Sequence, residues 1–419
     1  MPTTILYLNP SGHLGGGERS LLVLLAALDR TRYEPQVILT AEGPLRQHLE
    51  ALHIATEVVP LPSAMLRFSR SHRNPGRLPW LRPLSQLPGF SRRLLGVARD
   101  MRPQLVHSNG LKMHLLASWV LRRLQVPVLW HIQDFPPGGQ AEKLLRWSDA
   151  QPAQVVCDSH AVEREWRQHF PRLRRRLRTI HNGVAPAAFR EGNGERFRAA
   201  HGLPPDALVV GMCSVFAPWK GHEIFLQAAH AVRGTRPDVH FMVVGDDIYD
   251  TAGHGSRRQE MEALAAALGL REQVHFVGFV DAGLADAYAA MDIAVHAATR
   301  PEPFGMVVVE AMACGVPVIA SAAGGIPEIV TSEEHGLLVA PGDSGQLAAA
   351  ILRLAADSDL RRSLAQRGHA RVCERFSAQR QAQAFESLYA QLLGDVRESR
   401  NLEANGGEHE QIAPQGQGA

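Results

Sequence analysis

The sequence predicts an α/β fold made of two doubly wound parallel-sheet domains, and three observations carry that reading. The chain has 419 residues, about twice the usual domain length of 100–200 residues. Short apolar runs alternate with helical stretches, the pattern of parallel strands joined by crossover helices. The alternation comes in two series, separated by a small, polar and charged interval.

Thr4 to Leu8 opens the first series, followed by a glycine-rich loop from Gly12 to Gly17 and an apolar helix over roughly Arg19 to Leu28. Further strand-like runs lie at Gln36 to Leu39, Leu105 to Ser108, Val126 to Ile132 and Val155 to Asp158. A first domain over 1–185 and a linker over 186–199 are read from the composition change after His181-Asn182-Gly183-Val184. The second series, over 200–375, has strand-like runs at Leu208 to Gly211, Val239 to Val244, Gln273 to Val277, Ile293 to His296, Pro317 to Ala320 and Leu337 to Val339. Within 376–395, Phe385, Leu388, Tyr389 and Leu392 recur at i, i+3, i+4 and i+7, so a helix there buries one face, expected across the domain junction. Residues 396–419 are rich in Gly, Glu, Gln and Asn and are expected to form a disordered tail.

Composition excludes several classes. Hydrophobic residues make up 45% and charged residues 21%, and the formal net charge is +2. This is ordinary globular composition, with no chain-wide nucleic-acid signature. Cys157, Cys213, Cys314 and Cys373 form no C-x-x-C pair, which points to a reducing, cytoplasmic setting without a disulfide framework or zinc site. No leader pattern and no apolar run long enough to span a bilayer is found, so membrane contact is expected to be peripheral.

The chemistry concentrates in Arg300 to Glu328, which reads RPEPFGMVVVEAMACGVPVIASAAGGIPE. Pro301 and Pro303 disfavour helix through Glu302, and Met306 to Ala313 form a short helix closed by Gly315. Glu302 therefore lies on a loop and Glu310 on a helix. A helix start offers orphaned N–H groups and a positive dipole end, suited to a diphosphate. An ionised carboxylate only accepts hydrogen bonds, so it repels phosphate and matches sugar hydroxyls. The two signals together describe a sugar-nucleotide site.

Elsewhere the signals are single. The loop GHLGGGERS lacks the full G-x-G-x-x-G spacing, which argues against NAD, and its glycines serve either a tight turn or a substrate-facing loop. His131 ends a strand, where open α/β sheets bind ligands, although a histidine satisfied at the sheet edge fits as well. Lys220 opens a helix after the first strand of the second series, placed either to neutralise a diphosphate or to sit in solvent. His222-Glu223 fails as a zinc motif because Leu226 occupies the second histidine position, and Asp246-Asp247 reads as a turn or helix cap. Neither a P-loop nor a G-x-S-x-G elbow is present. Between Met65 and Arg102 nine arginines interleave with Leu, Trp and Phe against one acid. Such a stretch suits an anionic membrane surface, or a loop packed on its own domain.

Taken together, GGGE at Gly15 to Glu18, His131, HNGV at His181 to Val184, PWKG at Pro218 to Gly221, VHFVGF at Val274 to Phe279 and EPFGMVVVEAMACGVPVIAS resemble a retaining glycosyltransferase of family 4 (glycosyl transferases group 1). The resemblance covers about residues 1–395 and implies a GT-B fold whose C-terminal helix crosses back to the first domain. It also implies a nucleotide-sugar donor, UDP- or GDP-linked, a polysaccharide, oligosaccharide or lipid-linked acceptor, and no metal or other cofactor. By the same resemblance Glu310 holds the donor ribose, and Glu302, His131 and Lys220 act at the transferred sugar and diphosphate. Gly15 and Gly16 approach from the first domain, Phe304 and Gly305 lend main-chain N–H groups, and backbone at Phe279 borders the base. Val215 stands where the family often carries an arginine, with Arg300 a candidate replacement. Two other readings use the same cleft: a sugar-nucleotide 2-epimerase, and a non-catalytic sugar-nucleotide-binding protein.

Overall fold

The computed structural model of the chain describes residues 1–62, 81–247, 257–281 and 283–406. Two all-parallel sheets form its frame. The first contains β1 (Thr3–Asn9), β2 (Tyr33–Leu39), β3 (Ala55–Val58), β4 (Leu105–Asn109), β5 (Val128–Ile132), β6 (Gln154–Cys157) and β7 (Leu177–Thr179), in the order β3-β2-β1-β4-β5-β6-β7. The second contains β8 (Leu208–Cys213), β9 (Val239–Val244), β10 (Val274–Gly278), β11 (Ile293–His296), β12 (Val318–Ser321) and β13 (Leu337–Val339), in the order β10-β9-β8-β11-β12-β13. In each, the first strand in sequence lies centrally and the order reverses beside it. The crevices at the carboxyl ends of β1/β4 and β8/β11 are therefore where ligands are received.

Strand alternation explains both faces of the first sheet. Leu6, Leu8, Val106 and Trp130 enter one core, and Ile5, Tyr7, Leu105 and Leu129 the other. The second core is closed by helix Gly16–Ala27 and by the C-terminal helix Ala378–Gly406. Phe385, Leu388, Tyr389 and Leu392 are all buried there, at about 1.5–3 kcal/mol for each apolar side chain. The Tyr389 hydroxyl is held at 2.8 Å by Tyr7 and 2.7 Å by His107 Nδ1. The stripe read in the sequence is thus the seam that returns the end of the chain to the first domain.

Three expectations change. The segment expected as a linker contains helices Pro186–Arg190 and Gly194–Ala200. Asn193 caps the second, accepting from Arg196 N at 2.9 Å, and a Cβ on Gly192 or Gly194 would collide with the backbone of Ala285 or Ala289. The polar composition marks a close-packed connection rather than a free one. The tail, expected disordered from 396, continues as helix to Gly406, because helix-favouring residues outweigh polar composition there; 407–419 lie outside the described residues. The arginine-rich stretch lies in part outside them too. Helix Leu81–Asp100 carries its later portion, and Phe90, Leu94 and Leu95 are buried in the domain core while Arg92, Arg93 and Arg99 are exposed. Those three apolar side chains are therefore unavailable to a membrane. No helix among the described residues is long and apolar enough to cross one.

Candidate functional site

Glu302 is the centre of the site. Lys220 Nζ donates to its Oε1 at 2.5 Å, and His296 Nε2 donates to its Oε2 at 2.6 Å. Each partner is delivered by a strand end. His296 is the last residue of β11, and Lys220 follows β8 across the turn Pro218–Lys220. Gly221 makes the meeting possible: at φ 80° it brings the β8 loop so close that a Cβ would lie 1.9 Å from the Ala297 carbonyl oxygen. Burial alone would push the Glu302 carboxyl up. Lys220 and His296 outweigh it and hold the group below its ordinary range, hence ionised.

Glu310 lies one turn into helix Met306–Ala313, which Gly305 opens at φ 112°. It is 5% exposed, and Oε2 accepts from the Tyr288 hydroxyl at 2.9 Å. Its carboxyl is pushed up by burial, against the hydrogen bond from Tyr288 and the charge of Arg19. Arg19 belongs to the opposite domain. Its Nη2 lies 3.5 Å from both the Val280 carbonyl oxygen and Asp281 Oδ1, in the loop after β10.

The domains are also pinned at a second place. Glu328 Oε2 accepts from His160 N at 2.9 Å and from His181 Nε2 at 2.7 Å, while Oε1 accepts from Ala161 N at 2.8 Å. The carboxylate of one domain thereby fills the start of helix His160–His169 in the other. Ser159 Oγ donates to the Pro303 carbonyl at 2.6 Å beside it. The metal-capable atoms of His160, His181 and Glu328 lie within 4.8 Å of one another, with the carboxylate engaged by N–H donors.

Comparison with known proteins fits this geometry. Residues 14–188 match the model of Glycosyltransferase Family 4, and residues 193–371 that of Glycosyl transferases group 1. A D-inositol 3-phosphate glycosyltransferase of Streptomyces bingchenggensis is 31% identical over 340 residues, 76% of this chain and 74% of the relative. The chain belongs to the group 1 glycosyltransferases. A second such protein, of Catenulispora acidiphila, is 34% identical over 237 residues, 56% of this chain and 55% of its own length. Anabaena HepE, solved with UDP and glucose, superposes with a TM-score of 0.79 at 27% identity, over 93% of this chain and 100% of its own. The fold is GT-B, two parallel-sheet domains facing a cleft.

Among group 1 features expected from the residues, several stand around the cleft. Gly15 caps the helix that starts at Gly16, and a Cβ on Gly16 would lie 3.9 Å from Met306 Cγ, so the two helix starts face each other. Gly305 heads the Met306 helix, and Phe304 is buried against His181 and Phe376 with only its main chain at the loop. Phe279 follows β10 and is 46% exposed, and Arg300 is exposed two residues before Glu302. Asp246 pairs with Arg258 at 3.2 Å, in keeping with a structural role.

His131 lies deeper than the Glu302 cluster. Its ring is 2% exposed and packs on His107 and Phe385, with the pKa pulled down to about 3 by burial. In β5 it alternates onto the face covered by the C-terminal helix, and neither of its buried ring nitrogens has a hydrogen-bond partner among the described residues. Gln133, two residues on and past the strand end, reaches helix Gly16–Ala27: a Cβ on Gly17 would lie 2.6 Å from its Oε1. Sequence reasoning also passed over His296 and Asp158, whose signal was their position at strand ends. Asp158 is 2% exposed, with Oδ1 unpaired among the described residues. Burial above all, with the charges of Glu328 and Glu302, pushes its carboxyl well above the ordinary range.

Proposed function

We propose that the chain transfers a sugar from a UDP-sugar to an acceptor hydroxyl with retention of anomeric configuration. The observation that carries this reading is Glu302, ionised between Lys220 and His296 beside the start of the Met306 helix. An ionised carboxylate there accepts from sugar hydroxyls, while the helix start and the remaining Lys220 N–H donors meet the diphosphate. Glu310 keeps Oε1 for the ribose, since Tyr288 occupies Oε2. The choice of UDP is supported by HepE, whose solved complexes contain UDP and UDP-glucose.

The departing UDP needs its charge stabilised, and Lys220 and the helix dipole supply this without a metal ion. Front-face attack, in which the leaving phosphate takes the acceptor proton, leaves the side chains to position and stabilise. Activity is therefore expected to survive EDTA; its loss, restored by Mg²⁺, would refute the metal-free step. For the acceptor, the relatives' names point to a phosphorylated polyol, which joins glycan and lipid-linked hydroxyls as the classes to try. A basic face on Arg92, Arg93 and Arg99 supports docking at an anionic membrane, checked by salt-sensitive liposome co-sedimentation.

A thermal-shift screen of UDP-, GDP- and ADP-sugars tests the donor, because a ligand that binds only the folded state raises its stability. UDP-sugars are expected to give the largest shift. NMR of the product with each acceptor is expected to show the donor's anomeric configuration. Conversion of donor sugar without acceptor would favour an epimerase, and inversion would refute the mechanism.

A further inference from the structure

We propose that Arg19, carried by the first domain, is a donor-binding residue whose guanidinium meets the diphosphate across the closed cleft; this rests on the sugar-nucleotide reading above. The charges of the cleft favour a further cation beside Lys220, and besides Arg300, exposed two residues before Glu302, the first domain offers one. Lys220 is committed to Glu302 at 2.5 Å, and Glu310 adds another carboxylate. A diphosphate entering this group meets repulsion from both acids, and attraction from the start of the Met306 helix and from one ammonium already paired. The β8 loop offers no further cation before Lys220, since Ser214, Val215, Phe216, Ala217, Pro218 and Trp219 are uncharged.

Arg19 is placed to supply it. It sits in the first turn of helix Gly16–Ala27, whose start at Gly16 stands against Met306, the first residue of the opposing helix. Its guanidinium spans the cleft to the loop that follows β10, next to the exposed Phe279. Both contacts there are 3.5 Å, the outer limit for a hydrogen bond, and the side chain is 26% exposed. A cation held this loosely is free to turn onto a phosphate, where a bidentate charge-assisted pair forms. Its Nη2 contact with the Val280 carbonyl, one residue past Phe279, puts it on the side of the cleft expected to receive the nucleotide. The competing role is a domain latch to Asp281, which is 40% exposed and also faces His48 at 3.6 Å. Exposed pairs at such distances hold weakly.

Calorimetric titration of UDP and of uridine into the full-length wild type, Arg19→Gln, Arg19→Lys and Asp281→Asn separates the roles. Arg19→Gln is expected to weaken UDP about tenfold or more and uridine less than about twofold, with Arg19→Lys between. Asp281→Asn is expected to leave both ligands within about twofold of wild type. Wild-type UDP affinity in Arg19→Gln would overturn the proposal. So would equal weakening of UDP and uridine in Arg19→Gln and Asp281→Asn, the mark of a latch. Absence of UDP binding by the wild type would instead remove the donor reading, and Arg19 with it.

Discussion

Glu302 accepts from two donors at once, and its proposed role follows from its charge. Glu302→Gln keeps the shape but cannot hold Lys220 as an ion pair. Turnover of donor is expected to fall ~10²–10³-fold, the scale of one lost charge-stabilising contact, measured as UDP release; a change under about threefold would remove Glu302 from the chemistry. His131 is a different case. Its folded pKa, about 3, lies below the unfolded value near 6.5. Its contribution to stability is therefore complete above about pH 6.5 and is lost progressively as pH falls toward 3, at up to about 1.4 kcal/mol per pH unit for each such group. His131→Phe is expected to flatten thermal stability over that window and to leave turnover within about threefold; a collapse of turnover with the fold intact would return His131 to the site. The loop and helix placement of the two glutamates could be read because proline, glycine and helix periodicity fix their local setting, whereas Lys220 was assigned to the site only by the family resemblance. The placement of His131 could not be read, because residue type and position at a strand end do not say which face a side chain takes.

At the scale of elements, glycine geometry holds the site loop. Gly324 sits at φ 65° in a bridge to Glu302, where a Cβ would lie 2.0 Å from the Glu302 carbonyl oxygen, and Gly325 N donates to that oxygen at 2.9 Å. Gly324→Ala adds left-handed strain to a backbone collision. Destabilisation of roughly 2–4 kcal/mol in urea is expected, with loss of donor binding; a stable, active variant would show that the loop moves freely. Interior strands were legible from their apolar runs. The edge strands β3 and β7 were not, because ATEV and LRT are short and polar on one side. The two helices at 186–200 were hidden by glycines and charges that serve close packing against the second domain.

For the whole molecule, closure of the cleft is the proposed functional state. Glu328 joins the domains through two backbone N–H groups and His181. Burial alone would push its carboxyl up, and these donors hold it below the ordinary range. The stabilisation is thus present above the unfolded value near 4.3 and is lost as pH falls through the lowered folded value. Glu328→Ala is expected to increase the radius of gyration in X-ray scattering and to raise the donor KM several-fold, with a weaker acid dependence of stability. Unchanged scattering and KM would make the contact incidental. The two-domain architecture could be read from the double series of strands, whereas this interdomain pairing could not, since no local pattern brings residue 160 to residue 328. The most direct measurement is calorimetric titration of UDP-glucose into wild type and Glu310→Ala. One site per chain is expected in the wild type, weakened about tenfold or more in the variant as the ribose loses its acceptor. Wild-type affinity in Glu310→Ala would contradict the sugar-nucleotide site.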